Sequence, residues 1–99
     1  MIISFADGGT EDIFHGINSK KASAKLHRSL WEKATSKLDI LNRAYRLEDL
    51  RTPPNNKLEK LVGDLEGQYS IRINNQYRII FYWSSSKNEA SEVKIVDHH

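Results

Sequence analysis

The fold of this chain is decided by residues 69–83, which read YSIRINNQYRIIFYW. Two runs in which apolar and polar side chains alternate lie on either side of a polar connection at residues 74–76. Alternation with a period of two is typical of half-buried strands, so this stretch predicts a β-hairpin. The apolar face of the predicted hairpin is expected to face the core, and it consists of Tyr69, Ile71, Ile73, Tyr77, Ile79, Phe81 and Trp83.

The length of the hairpin loop sets the register of the two strands. A two-residue loop at residues 74–75 would place Ile71 opposite Arg78 and would mix the two faces. A three-residue loop at residues 74–76 pairs Ile71 with Ile79. Because a slip of one residue moves every side chain to the other face, matched faces favour the three-residue loop. Asparagine tolerates the left-handed backbone that such a loop needs.

The same register sets Arg72 directly opposite Arg78 on the polar face of the hairpin. Two interpretations of this pair remain open: two arginines that together bind a phosphate, or two solvated arginines that splay apart. Since Arg78 is expected on a wet, polar face, its removal is expected to leave the fold intact.

Composition indicates a small globular domain that spans residues 1–99. Of the 99 residues, 28% are charged and 38% are hydrophobic, which is ordinary for a globular protein. The net charge of +2 and a pI near 8.9 permit nucleic-acid binding without requiring it. The chain has no cysteine, which excludes disulfides, thiol catalysis and cysteine-ligated zinc.

Two expectations concern location. The apolar run at residues 1–3 is too short for a signal peptide and has no basic segment before it. No stretch of the sequence is long and apolar enough to span a membrane. We therefore expect a cytoplasmic protein without a membrane partner.

The order of predicted elements is β-α-α-β-β-β-β, an α+β fold in which two N-terminal helices cover one face of a largely antiparallel sheet. A strand is predicted at residues 1–5, followed by a helix with Thr10 as its N-cap. A long helix is predicted at residues 23–44. Short strands at residues 57–61 and 92–97 flank the hairpin. The face of the sheet without helices is expected to stay wet and to bear the functional residues.

The long helix has one apolar stripe, formed by residues 26, 30, 34, 38 and 41, and several cations that the spacing places outside it. Either these cations form a basic ridge for nucleic acid, or they are an ordinary solvated helix face. They include Lys25, Arg28, Lys33 and Lys37.

The remaining chemistry-bearing side chains suit metal-independent RNA cleavage. That reaction needs a base for the 2′-OH, an acid for the leaving 5′-oxygen, and cations for the charged phosphorane. Histidine titrates near neutral pH, and arginine clamps phosphate. The candidates are the cations Arg51, Lys57, Arg72 and Arg78, the titratable residues Asp97, His98 and His99, and the aromatic Tyr77 and Tyr82.

No metal or cofactor is expected, because none of the four histidines forms an HxxxH or HExxH pair, and glycine-rich phosphate loops and GxSxG are absent. The two terminal histidines remain open to a second interpretation, as a frayed end or the start of a purification tag.

The second half of the chain resembles a known family. The pattern RxPPxNxLxxLxGDxxGxxSIRxNxQxRIxFxW, followed by VxIVDxH, is similar to the HigB branch of the RelE/ParE toxin superfamily, the plasmid-maintenance killer proteins. It begins at Arg51 and ends at His99, and the opening MIISF fits as well. The resemblance covers essentially the whole chain.

The resemblance implies a small ribonuclease toxin that cleaves mRNA in the ribosomal A site. It also implies a HigA-like helix-turn-helix antitoxin that is encoded beside the toxin. In the resulting complex, only the antitoxin would bind operator DNA. Arg78 matches the family's hairpin arginine, and Asp97 and His99 match its terminal cluster.

The assignment of the base stays open. Some members carry histidine and lysine where this chain has Glu59 and Val62, so Glu59 is an alternative base. Strict alternation directs His98, rather than His99, toward the arginines, but the resemblance favours His99, and strand ends twist.

Two other function classes remain beside the ribosome-dependent endonuclease. One is a non-catalytic toxin that binds DNA gyrase, similar to the ParE branch, and the other is a passive RNA-binding module. The terminal Asp-x-His at residues 97–99 favours the nuclease.

Overall fold

The structure, a computed structural model, describes residues 1–97 and has an α+β fold. Within that range, three α-helices precede a four-stranded antiparallel sheet of order β1-β2-β3-β4. Short 3₁₀ helices connect them. The elements are α1 (Gly8–Phe14), α2 (Lys20–Lys25), α3 (Trp31–Arg43), β1 (Glu59–Lys60), β2 (Gln68–Arg72), β3 (Tyr77–Ser84) and β4 (Glu89–Asp97).

The predicted register of the central hairpin is confirmed. Ile71 lies opposite Ile79, and Arg72 lies opposite Arg78. The Ile73 amide donates to the Tyr77 carbonyl, which leaves the three-residue loop at residues 74–76. The Asn74 side chain stabilises this loop, because its oxygen accepts from the amides of residues 76 and 77.

The helices cover the apolar face of the sheet, as predicted. Ile71, Ile79 and Phe81 are fully buried, together with Leu38 and Leu41 of α3. Burial of one such aliphatic side chain stabilises the fold by about 1.5–3 kcal/mol. None of the helices in residues 1–97 is long and apolar enough to cross a membrane.

The N-terminal segment is attached to β4 but is not the strand predicted at residues 1–5. Only two isolated parallel bridges form, Ile2 with Ala90 and Phe5 with Val93. Between these bridges Glu92 has a left-handed backbone (φ 51°), and its amide donates to the Ser4 hydroxyl. The ladder is interrupted there because the amide that would extend it points to a side chain.

The first helix begins earlier than predicted. Its N-cap is Asp7, whose carboxylate accepts from the Thr10 amide, and not Thr10 itself. Thr10 is fully buried, and its hydroxyl accepts from the Ile95 amide of β4. The threonine that resembled a cap therefore joins α1 to the sheet.

The long helix predicted at residues 23–44 is two helices. The chain is extended at Leu26, and α3 begins at Trp31. The Trp31 indole N–H donates to the Leu26 carbonyl, and the His27 ring accepts from the Ser29 amide, so side chains satisfy the broken turn. Neither proline nor glycine occurs at the break, and the apolar spacing continues across it, so the sequence pattern predicted one continuous helix.

The strand predicted at residues 57–61 shortens to Glu59–Lys60. Lys57 has a left-handed backbone (φ 49°), which an extended strand does not accommodate. In contrast, β4 begins at Glu89, three residues before the predicted start at Glu92.

Candidate active site around Arg78

The candidate site lies on the face of the sheet opposite the helices. The observed register places Glu59, Ser70, Ile80 and Lys94 side by side across the four strands. Arg72, Arg78 and Val96 form the next row. Because side chains alternate along each strand, both rows point away from the helices.

Arg78 is the centre of this face, and it is buried rather than solvated. Only 7% of its surface is exposed. Its Nε donates to the Ser70 hydroxyl at 2.9 Å, and its Nη2 donates to the Lys57 carbonyl at 2.6 Å. Two neutral oxygens therefore hold the guanidinium in place, and the expectation of a wet position for Arg78 is wrong.

Local structure explains both contacts. Ser70 lies diagonally across the hairpin from Arg78, within reach of a long side chain. Lys57 follows the 3₁₀ helix Pro54–Asn56, and its left-handed backbone turns the chain toward the sheet. Its carbonyl contacts Arg78, whereas its side chain, predicted to bind phosphate, is exposed.

Within residues 1–97, Glu59 provides the carboxylate that forms an ion pair with Arg78. Its Oε1 lies 3.9 Å from Nη1 of Arg78, close enough for an ion pair but too far for a hydrogen bond. Half of the Glu59 side chain is open to solvent. An accessible carboxylate thus lies beside a fixed cation, which is an arrangement that can accept a proton near a bound phosphate.

Arg72 does not form a fork with Arg78, although their backbones are directly opposite. Its Nε donates to the Asn74 carbonyl at 3.0 Å, and its Nη2 donates to the Asn75 side chain. Arg72 therefore folds over the hairpin loop, whereas Arg78 turns toward Ser70. The two guanidinium groups therefore diverge, as the second interpretation predicted, but neither is simply solvated because each has hydrogen-bond partners in the chain.

Tyr77 and Asp97 lie opposite each other at the end of the sheet, on the side of the helices. The Gln76 side chain donates to both of them, at 3.3 Å to the tyrosine hydroxyl and 3.2 Å to the carboxylate. The Tyr77 ring packs partly against the core. These two predicted site residues form their own cluster, next to Arg78 along the chain but on the other face.

The other predicted residues within residues 1–97 are not drawn into either cluster. Arg51 ends the 3₁₀ helix Leu47–Arg51, and its side chain is exposed. His98 and His99 lie outside the described residues. Within residues 1–97, no three His, Asp or Glu side chains are grouped so that they could hold a metal ion.

Two residues of the site region were missed. Ser70 alternates with Arg72 on the polar face, which was a usable signal for a partner of Arg78. Lys37 was placed outside the apolar stripe, yet it is buried. Its spacing of three from residue 34 and four from residue 41 puts it on the same helix face. The charge of the lysine outweighed this spacing in the prediction.

Burial also affects the pKa of Lys37. Loss of hydration, and then the nearby charge of Lys33, lower the pKa of the Lys37 ammonium below its ordinary value. Its Nζ donates to the side-chain oxygens of Asn55 and Asn56. Asn56 is itself buried, and it donates to the Leu50 carbonyl. Lys37 thus joins α3 to the segment that leads to β1.

The same fold occurs in solved toxin structures. The YoeB/ParE toxin from Agrobacterium tumefaciens superposes with a TM-score of 0.57 at 18% identity, over 99% of this chain and 98% of that chain. The YoeB-YefM complex from Staphylococcus aureus gives 0.56 at 18% identity, over 100% and 98% of the two chains. At this identity the likeness concerns the fold alone.

The sequence comparisons show the family. Toxin HigB-1 of Vibrio cholerae serotype O1 is 39% identical over 83 residues, which is 84% of each chain. The family model described as RelE-like toxin of type II toxin-antitoxin system HigB matches residues 3–99. With its α+β fold and hairpin arginine, the chain therefore belongs to the HigB-like family of toxins of type II toxin–antitoxin systems.

Proposed function

We propose that the chain, residues 1–99 as one domain, is a ribosome-dependent mRNA endonuclease that works without a metal ion and inhibits translation in the cytoplasm. The observation that supports this most is the fixed, buried guanidinium of Arg78, with the exposed carboxylate of Glu59 at 3.9 Å. Membership of the HigB-like toxin family is consistent with an RNase toxin.

Arg78 would stabilise the phosphorane formed when the 2′-oxygen attacks the scissile phosphate. Its contacts with Ser70 and Lys57 engage neutral oxygens, so its positive charge is held in position without being neutralised by a hydrogen-bonded carboxylate. Such a preorganised cation does not need to reorganise as charge develops, and loss of one such group typically slows turnover by about 100–1000-fold.

Glu59 is a candidate for the base that removes the 2′-OH proton, because it is the carboxylate paired with Arg78 and is open to solvent. The terminal His98 and His99 are the candidates for the acid that protonates the 5′-oxygen, whereas Asp97 lies on the other face of the sheet from Arg78. Glu59→Gln, His98→Ala and His99→Ala, compared on the same ribosomes, would assign these roles. If a substrate with a better leaving group restores the cleavage rate of one variant, the residue replaced in that variant is the acid.

Arg72 and the side chains of Arg51 and Lys57 would contribute to RNA binding rather than to chemistry. Two of these side chains, Arg51 and Lys57, are exposed, and exposed cations attract phosphates in a salt-dependent manner. Tyr77 would contribute ring surface at the hairpin end of the sheet, on the other face from Arg78.

The partner in the cell would be an antitoxin encoded beside the toxin, of the HigA-like helix-turn-helix class. Support comes from the family and from the solved YoeB-YefM complex, whose toxin chain shares this fold. Any contact with operator DNA would be made by the antitoxin. Co-purification of the neighbouring gene product, followed by recovery of translation, tests this partnership.

The decisive test is cell-free translation with mapping of new RNA 5′ ends. The expected result is truncated message only when ribosomes engage it. Slowed translation without new ends would instead indicate a passive RNA-binding module. Intact translation with blocked DNA supercoiling would indicate a gyrase-binding toxin, and either outcome would refute the nuclease.

A further inference from the structure

A second cationic site lies at the tip of the central hairpin, apart from the Arg78–Glu59 pair. Here α3 and the hairpin loop enclose a cleft of 270 Å³. Its polar lining contains three cations and three amides and includes neither aspartate nor glutamate. These residues are Lys33, Lys37, Arg72, Asn55, Asn74 and Asn75.

The cations of this cleft are held in place by neutral groups. Lys37 is only 7% exposed, and its ammonium donates to Asn55 at 3.2 Å and to Asn56 at 2.5 Å. These contacts use two of its three N–H donors. Arg72 donates to the Asn74 carbonyl and to the Asn75 side chain, which uses two of its five donors.

No carboxylate within residues 1–97 forms an ion pair with Lys33, Lys37 or Arg72. Three cations at one cleft repel one another, and a buried cation without a counter-charge is costly. An anion in the cleft would relieve both effects and would find unused donors on both Lys37 and Arg72. The absence of acids also excludes a cationic ligand.

We propose that this cleft binds a backbone phosphate of single-stranded RNA, next to the phosphate that would be cleaved at Arg78. The position favours RNA over an isolated anion, because Arg72 of the cleft lies directly opposite Arg78 on the neighbouring strand. A polyanion that presents one phosphate to Arg78 would present a neighbouring one to the hairpin tip. The inference rests on the proposed nuclease function for the identity of its ligand.

Lys33 offers the cleanest test, because its side chain is exposed. Lys33→Ala is therefore expected to fold normally, as surface substitutions usually change stability by no more than about 0.5 kcal/mol. Lys20→Ala is the matched control, since Lys20 is also an exposed lysine in the first turn of a helix but lies outside the cleft.

The binding experiment uses a short 2′-O-methyl RNA oligonucleotide, which lacks the attacking 2′-OH, so that binding is measured apart from cleavage. Fluorescence anisotropy at several salt concentrations is expected to show about 3- to 5-fold weaker binding for Lys33→Ala near physiological salt. The slope of log K against log salt should fall by about 0.7, the value for one phosphate contact to a single strand. Lys20→Ala should change neither quantity.

An NMR titration with inorganic phosphate gives the second measurement. Phosphate and the oligonucleotide are expected to shift the same backbone amides, those of Asn74 and Asn75 and of Lys33 and Lys37. Equal losses for Lys33→Ala and Lys20→Ala, or phosphate shifts confined to other residues, would overturn the proposal. So would tighter binding of a polyglutamate peptide than of the oligonucleotide, because that result identifies a protein partner.

The two proposals fail in distinguishable ways. If these measurements show no phosphate or RNA binding at the cleft, but message is still cleaved normally on ribosomes, only the second phosphate site is refuted. Normal binding at the cleft without any cleavage of message would remove the nuclease and leave the phosphate site.

Discussion

The substitution Arg78→Ala tests whether the buried guanidinium supports the fold as well as the proposed chemistry. The change removes the donors that contact the Ser70 hydroxyl and the Lys57 carbonyl, and it removes an ion pair with Glu59. On a wet surface such a change would cost almost nothing. In the observed structure, it opens the contact that joins residue 57 to the middle of the sheet.

The expected loss is worked from each contact in turn. A hydrogen bond from a charged group contributes about 1.5–3 kcal/mol, which applies to the part-buried 2.6 Å bond to the Lys57 carbonyl. Ser70 loses less, about 0.5–1.5 kcal/mol, because a hydroxyl can rotate to another acceptor. The 3.9 Å pair with the half-exposed Glu59 adds at most about 1 kcal/mol.

Together these contacts predict that Arg78→Ala lowers the free energy of unfolding by about 3 kcal/mol. For a domain of this size, each kcal/mol lowers Tm by about 4–8 °C, so the expected drop is roughly 10–25 °C. Thermal and urea unfolding, followed by circular dichroism, measure it. Any loss of RNA cleavage must then be corrected for the folded fraction at the assay temperature.

Arg51→Ala is the control, because this arginine is exposed and is expected to change stability by no more than about 0.5 kcal/mol. Glu59→Gln separates the ion pair from the two hydrogen bonds and should change Tm little. If Arg78→Ala melts within about 3 °C of the parent protein, the reasoning from its buried contacts is wrong. The arginine would then act in catalysis alone.

Gly9→Ala is expected to lower the free energy of unfolding by about 1–3 kcal/mol in urea melts, because its Cβ would lie 2.7 Å from the Lys21 carbonyl oxygen and 2.8 Å from Lys25 Cβ. Gly8→Ala is the matched control, since it approaches only the flexible Lys21 side chain, and equal costs would contradict this packing. Burial tends to raise the pKa of the Asp7 carboxyl, but hydrogen bonds from Lys25 and then from the backbone outweigh it, and the net pKa is lowered from 3.8. The lowered pKa stabilises the fold above the ordinary aspartate pKa, and this stability is lost as pH falls through the folded value. Asp7→Ala should therefore cost about 1 kcal/mol near pH 7 and progressively less in melts below pH 3.8, and a cost independent of pH would refute the role of its charge.

Much of the fold was predictable because it follows from local periodicity. The alternation around residues 74–76 identified the hairpin, its loop length and its register, since only one register keeps both faces matched. The spacing of Leu38 and Leu41 correctly identified the helix face that covers the sheet. The family pattern pointed to Arg78 before any geometry was known.

The errors have a common origin in side-chain contacts that periodicity does not reveal, some of them between residues distant in sequence. The break before α3 is stabilised by the Trp31 indole, and the cap-like Thr10 is taken up by Ile95, 85 positions away. The periodicity of apolar residues predicts neither contact. The N-terminal segment shows the same effect, because the Glu92 amide donates to the Ser4 hydroxyl and not to a backbone carbonyl that would extend the ladder.

For the candidate site, the sequence by itself determined which residue types are available and which face of the sheet each one occupies, because alternation depends only on neighbours along a strand. It did not determine burial. Arg78 is enclosed because the carbonyl of Lys57, 21 residues earlier in the chain, meets its guanidinium. Arg72, its direct neighbour in the register, turns instead to the loop. Periodicity assigns a face, but only the packing of distant segments decides which polar atoms a side chain meets there and whether water reaches it.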